Sequence, residues 1–282
     1  MSSAILLPAL AMIASAMLHS VMGLLTKQAG DKLMFRALMQ IVAAVLMLPV
    51  IVMNPLPEWE VWRFLMMGAV IHFTFQMTMI AAFERGDMSL VYPVMRGSAP
   101  ALAGIAALFF LGEPLSPADG IGLAIVSAAV IAFGWPEKGG APKAAALAFA
   151  LIAGAMTALY SVNDASGARA AGNAIYYLAW FLVLNAVPIN LVALARRKGR
   201  WISVARRQMR VAVIAAVLGA GSYAFALYAL SEAAVAPMAA LRETSVVFGA
   251  ILAALVLKEP FGARRIILAI CLAFGLVLLQ AG

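Results

Sequence analysis

Apolar positions along this chain neither alternate nor trace a narrow stripe; they run on for about 20 residues, stop at a short polar cluster and resume. Runs of this kind fall at residues 3–26, 33–53, 61–83, 88–111, 118–135, 143–163, 173–195, 210–230, 235–257 and 264–281. Each is long enough to cross the hydrocarbon core at about 1.5 Å per residue, and in lipid only a helix satisfies its own backbone within one segment. The pattern predicts an all-α integral membrane protein with ten transmembrane helices and short connections. The longest polar segment is Arg196–Arg210, which leaves no length for a separate soluble domain. The opening stretch MSSAILLPALAM lacks the basic start and small-residue cleavage site of a secretory signal, so the first run is expected to stay as helix 1.

Composition agrees: 65% of the residues are hydrophobic, 11% are charged, and mean hydropathy is +1.02. A net charge of +8 raises nucleic acid as a partner, and its placement excludes that. Of the 20 Lys and Arg, sixteen sit in the odd-numbered loops or at their edges, and only Arg63 and Arg169 in the even ones. This bias puts the odd loops in the cytoplasm and both termini on the other side. The run RRKGRWISVARRQMR (Arg196–Arg210) then reads as an interfacial anchor against anionic lipid. The single cysteine, Cys271, excludes an intrachain disulfide and a thiolate metal cluster.

The chain also contains itself twice. A shift of 146 positions carries VYPVMRGSAPALAGIAALFFLGEP (Val91–Pro114) onto PMAALRETSVVFGAILAALVLKEP (Pro237–Pro260). Arg96 falls on Arg242, Ser98 on Thr244, Glu113 on Glu259 and Pro114 on Pro260. A weaker echo joins IASAM (Ile13–Met17) to IAGAM (Ile152–Met156). Two five-helix repeats follow, residues 1–138 and 139–282, joined around WPEKGGAPK (Trp135–Lys143), where Gly and Pro break the helical pattern. Five is odd, so the second repeat is expected to cross the membrane inverted, the construction by which secondary transporters place a substrate site between halves.

With helices 4 and 9 ending in LGEP and LKEP and LMFRALMQIVAAVLMLP in helix 2, the chain resembles the drug/metabolite transporter superfamily, specifically its EamA family. The resemblance covers the whole chain. It implies a metabolite or drug exporter in a bacterial inner membrane. One departure stands out: the small-multidrug relatives use an acidic residue in helix 1 to bind cations, and helix 1 here has none.

Polar residues deep in the spans are the candidate chemistry, because an ionisable group there is costly to insert. Arg96 lies eight residues into helix 4, about 12 Å from its start, and Arg242 occupies the symmetric depth in helix 9. Either they grip an anionic group of a substrate with fork geometry, or they neutralise acids and cap carbonyls freed by Pro93 and Pro237. Glu243 is the proton-coupling candidate. His19, His72 and Gln76 are expected to line a cavity, and Tyr92, Tyr160, Asn163 and Tyr223 to offer polar handles to a ligand or bridges between helices. Asp164 is expected to pair with Arg169 at the outer rim, and Glu113 and Glu259 to be structural.

The sequence therefore points to a secondary transporter for a small anionic or zwitterionic metabolite, amino-acid-like, working by alternating access as a monomer or homodimer. No cofactor, metal or nucleic acid is expected. The histidines have no metalloprotease spacing and no GxxxxGK[ST] loop is present, so neither an enzyme nor an ATP-driven pump is indicated. A flippase for an anionic-headgroup lipid and an exporter of drug-like or cationic compounds stay open.

Overall fold

The computed structural model describes residues 3–106, 117–134, 143–197, 201–233, 238, 241–242, 244–258 and 263–281. Among the described residues there is no strand. The helices are α1 (Ser3–Gln28), α2 (Lys32–Val52), α3 (Trp59–Arg85), α4 (Met88–Ala106), α5 (Pro117–Gly134), α6 (Ala144–Ala170), α7 (Ala174–Arg196), α8 (Trp201–Glu232), α9 (Ser245–Leu255) and α10 (Ala263–Ala281). Six of them, α1, α2, α3, α6, α7 and α8, are long and apolar enough to cross a membrane.

Three of the expected spans differ from the helices observed. The sixth run was drawn to residue 163, whereas α6 continues to Ala170. The eighth was drawn from residue 210, whereas α8 starts at Trp201 and its 32 residues span about 48 Å. Arg206, Arg207 and Arg210 are therefore helical rather than part of a polar loop. Hydropathy ends a run at the first polar cluster, but Ala and Arg are good helix formers and the backbone continues through them. In the ninth, drawn over 235–257, the longest described helical run is Ser245–Leu255, preceded by helical Leu241 and Arg242 and a turn at Thr244.

The chain forms two compact units, Met1–Thr74 with Tyr160–Met238, and Phe75–Leu159 with Ala239–Gly282. Each unit draws on both halves of the sequence. In the first, α1 packs on α8, and α2 on α7 and α8. Small residues let these helices approach: Ala16, Ala212, Ala215 and Ala216 are buried, and a Cβ on Gly219 would stand 2.9 Å from the Met22 sulfur. The Ser222 hydroxyl donates to the Ser15 carbonyl at 2.8 Å, a polar tie between α1 and α8.

The start of α2 is fixed by Asp31, whose carboxylate accepts from the Met34 N–H at 3.0 Å and from Arg197 Nε at 2.5 Å. Burial pushes the Asp31 carboxyl up, but the Arg197 guanidinium and the Met34 amide outweigh it and hold it below the usual carboxylate range. Asn173 caps α7 in the same manner, accepting from the N–H groups of Ile175 and Tyr176.

In the second unit α5 packs on α10, and α4 on α5, α9 and α10. Residues Val91 to Ala99 on α4 are all buried. Glycines set its contacts: a Cβ on Gly154 would lie 2.1 Å from the Ser98 hydroxyl, and one on Gly249 2.5 Å from the Tyr92 ring.

Candidate functional site

In the first unit, His72 lies at the middle of α3, thirteen residues from either end, and its ring is buried. Its Nε2 is 2.6 Å from Oδ2 of Asp164, whose side chain is 1% exposed. The remaining carboxylate partners come from two further helices and from α6 itself. The Tyr223 hydroxyl on α8 donates to Oδ2. The Tyr177 hydroxyl on α7 donates to Oδ1 at 3.1 Å, and Asn163 Nδ2 donates to Oδ1 at 2.9 Å and to the Phe64 carbonyl at 3.0 Å. One buried carboxylate thus gathers an imidazole, two phenols and an amide, which is how a charge is kept in a low-dielectric interior.

Aromatic faces enclose the imidazole. Tyr160 stacks on it with centroids 4.3 Å apart, and Phe181 meets it edge-on at 4.5 Å. Tyr223 stacks in turn on Phe181 at 4.8 Å. Glycine makes the closeness of α3, α6 and α7 workable. A Cβ on Gly68 would come within 3.0 Å of Asn163 Nδ2, and one on Gly167 within 2.4 Å of the Tyr177 ring.

Asp164 does not pair with Arg169, as the sequence suggested. At 100° per residue five positions turn the side chains about 140° apart, so they leave α6 on different sides. Arg169 donates instead to the Leu230 carbonyl at 3.2 Å. With α6 running to Ala170, Asp164 also sits about 9 Å inside the helix end rather than at it.

The second unit holds the arginine pair. Arg96 is fully buried, donating from Nε to the Ser245 hydroxyl at 3.1 Å and from Nη2 to the Arg242 carbonyl at 3.5 Å. Arg242 is buried as well. The sequence shift that aligned the two arginines therefore joins them in space, guanidinium to backbone. The carbonyl that Arg96 meets is other than those Pro93 and Pro237 free, which lie four residues before each proline. Tyr92 is buried against Gly249.

Other sequence candidates are placed less fully. His19 on α1 and Gln76 on α3 are buried. Glu113, Glu243 and Glu259 lie outside the described residues. A cavity of about 490 Å³ opens at the α6–α7 turn and the end of α8, lined by Arg169, Asn173, Tyr228, Ser231 and Glu232 among others. It shares no residue with the His72 cluster. Among the described residues no group of three His, Cys, Asp or Glu could hold a metal ion.

Sequence reasoning passed over Tyr177 and Phe181, and it gave Asp164 the wrong partner. The available signal was the presence of Asp164 itself within an apolar run, next to Asn163, in a chain with 12 acidic residues overall.

Comparison with known proteins supplies the family. No curated protein matches the chain. A solved crystal structure of a protein, 18% identical, matches over 98% of this chain and 96% of its own with a TM-score of 0.63, a likeness of fold. The model of the EamA-like transporter family matches twice, over residues 6–135 and 144–280, which together take in nearly all of the sequence. The chain is an integral membrane protein and belongs to the EamA-like transporter family.

Proposed function

We propose that this chain is a ten-span secondary carrier of two inverted five-helix repeats, exporting a small zwitterionic or anionic metabolite, amino-acid-like, by alternating access. The bacterial inner membrane is its place, with both termini outside the cytoplasm. The observation that carries this reading is the buried His72–Asp164 pair with Tyr160, Phe181 and Tyr223 around it. A carboxylate and an imidazole give both signs of charge within one ångström-scale site, and the rings give apolar faces. This matches a molecule with an ammonium, a carboxylate and an organic body. Arg36, also buried in the first unit, offsets the charge of Asp164, which leaves no net negative lean there to favour cationic over anionic or zwitterionic cargo.

The test is exchange by the purified protein in liposomes. Vesicles loaded with an unlabelled mixture of the twenty amino acids should take up the radiolabelled mixture by counterflow, and His72→Ala and Asp164→Ala should abolish the exchange. Counterflow of organic cations in place of amino acids would replace this reading with a drug-like exporter. Transfer of a labelled anionic lipid between leaflets would replace it with a flippase.

A further inference from the structure

We propose that the His72–Asp164 pair is the site at which this carrier takes up and releases a coupling proton. The inference rests on the transport reading and names the coupling ion and the residues that hold it, in place of the Glu243 suggested by sequence.

The partners of the carboxylate decide which group moves the proton. Asn163, Tyr177 and Tyr223 donate to Asp164, and an amide and two phenols have no proton to release near neutral pH. The fourth partner is an imidazole at 2.6 Å, the one side chain whose unperturbed titration falls between about pH 5 and 8. With the proton on, the pair is neutral overall. With the proton gone, it carries one negative charge, still met by three donors. Moving that charge within lipid is costly, so the loaded form is the one that changes access readily.

The geometry accommodates both forms without rebuilding the site. The Tyr223 hydroxyl lies 3.3 Å from His72 Nε2 while donating to Asp164, so it touches both of the groups whose charge balance changes. Tyr160 stacked at 4.3 Å and Phe181 edge-on at 4.5 Å fix the imidazole plane, and aromatic faces tolerate an imidazolium. The other titratable or charged groups around the pair are Tyr160 on α6, Tyr177 on α7 and Tyr223 on α8, and Arg36 on α2 is buried in the same unit. His19 on α1 is the second buried imidazole of this unit.

The full-length protein in liposomes gives the test, with the radiolabelled amino-acid mixture as probe. A gradient of one pH unit supports up to about tenfold accumulation at one proton per substrate. In the wild type the gradient should drive accumulation, with pyranine reporting matching proton movement. His72→Gln should lose the gradient-driven part and the pyranine signal together, whatever counterflow at equal pH it keeps, and if it exchanges nothing the histidine spectra below decide. Gradient drive that survives in His72→Gln overturns the proton assignment and leaves transport standing. A wild type without counterflow overturns the transport reading first.

A second measurement holds if His72→Gln fails to fold. The chain has only two histidines, so ¹⁵N-histidine spectra of His19→Gln report His72 alone. The expected result is a protonation step whose midpoint moves when the amino-acid mixture is added. An imidazole that does not titrate between about pH 5 and 8, or titrates without regard to the mixture, overturns the proposal.

Discussion

The two buried polar clusters of this protein use the same currency of intramembrane charge in opposite ways. In the first unit Asp164 meets His72, Tyr177, Tyr223 and Asn163, side chain to side chain, and its imidazole partner can change charge. In the second unit Arg96 meets the Arg242 carbonyl and the Ser245 hydroxyl. A guanidinium keeps its charge at every physiological pH, and a backbone carbonyl has no charge to change. The first arrangement suits chemistry that varies through a cycle. The second suits a fixed strut, tying α4 to the chain at the start of α9. Depth in the membrane marks both alike, and only the partners separate them.

The largest expected effect tests the strut. Arg96→Ala removes a fully buried side chain and leaves two oxygens without their donor. A stability loss of about 3 kcal/mol or more is expected from the cavity and the unmet acceptors together. It is read as a large fall in the thermal midpoint in detergent, with Arg96→Lys recovering part of it. Asp164→Asn, close to isosteric, should cost less stability and far more transport. The contrast fails if Arg96→Ala melts like the wild type but stops counterflow, for then Arg96 belongs to the substrate.

Glycine substitutions sharpen the same contrast with smaller effects. A methyl group on Gly167 meets the Tyr177 ring at 2.4 Å, and one on Gly249 meets the Tyr92 ring at 2.5 Å. Overpacking of this kind costs about 1–3 kcal/mol in either place. The consequences should diverge. Gly167→Ala shifts the phenol that donates to Asp164, so the pH dependence of transport should move along with stability. Gly249→Ala should lower the thermal midpoint and leave the pH profile of the residual transport where it was. Equal pH shifts in both would show that general loosening, rather than the Asp164 site, sets the profile.

Much of this was legible in the chain. Continuous apolar runs gave the helices because lipid leaves the backbone few alternatives, and the shift that aligned Arg96 with Arg242 marked two residues that do meet. The reach of α6 to Ala170 was hidden, since hydropathy and helix propensity both fall at Asn163 and Asp164, and it is their partners on α3 that suit the helix continuing through them. The partner of Asp164 was hidden for a different reason. His72 and Asp164 are 92 positions apart, on helices whose rotation about their own axes is set by packing, here at Gly68 and Gly167. Arg169, five positions away, was the nearest cation in sequence and was not on the same face.

The smallest expected effect comes from a carboxylate outside the bilayer, and it calibrates the one inside. Asp31 is paired with Arg197 at 2.5 Å, and both side chains keep contact with solvent, at 19% and 33% exposure. Its carboxyl is held below the usual range, so its contribution to stability is present at neutral pH and is lost as pH falls through the acid range below about 4. Asp31→Asn retains a good N-cap and removes only the charge, so the loss at pH 7 should be about 1 kcal/mol or less. The variant should therefore approach the wild type in stability as pH falls below about 4 and the wild-type carboxylate takes up its proton. Salt should mimic the substitution, because a partly exposed ion pair is screened at a Debye length of about 3 Å in 1 M salt. The His72–Asp164 pair is enclosed by rings and sees little of that screening. A thermal midpoint of Asp31→Asn that is indifferent to salt, beside a wild type that loses stability in it, assigns the salt effect to the exposed pair. The reverse pattern would place the salt effect elsewhere than the Asp31–Arg197 pair and end its use as the exposed reference for the buried one.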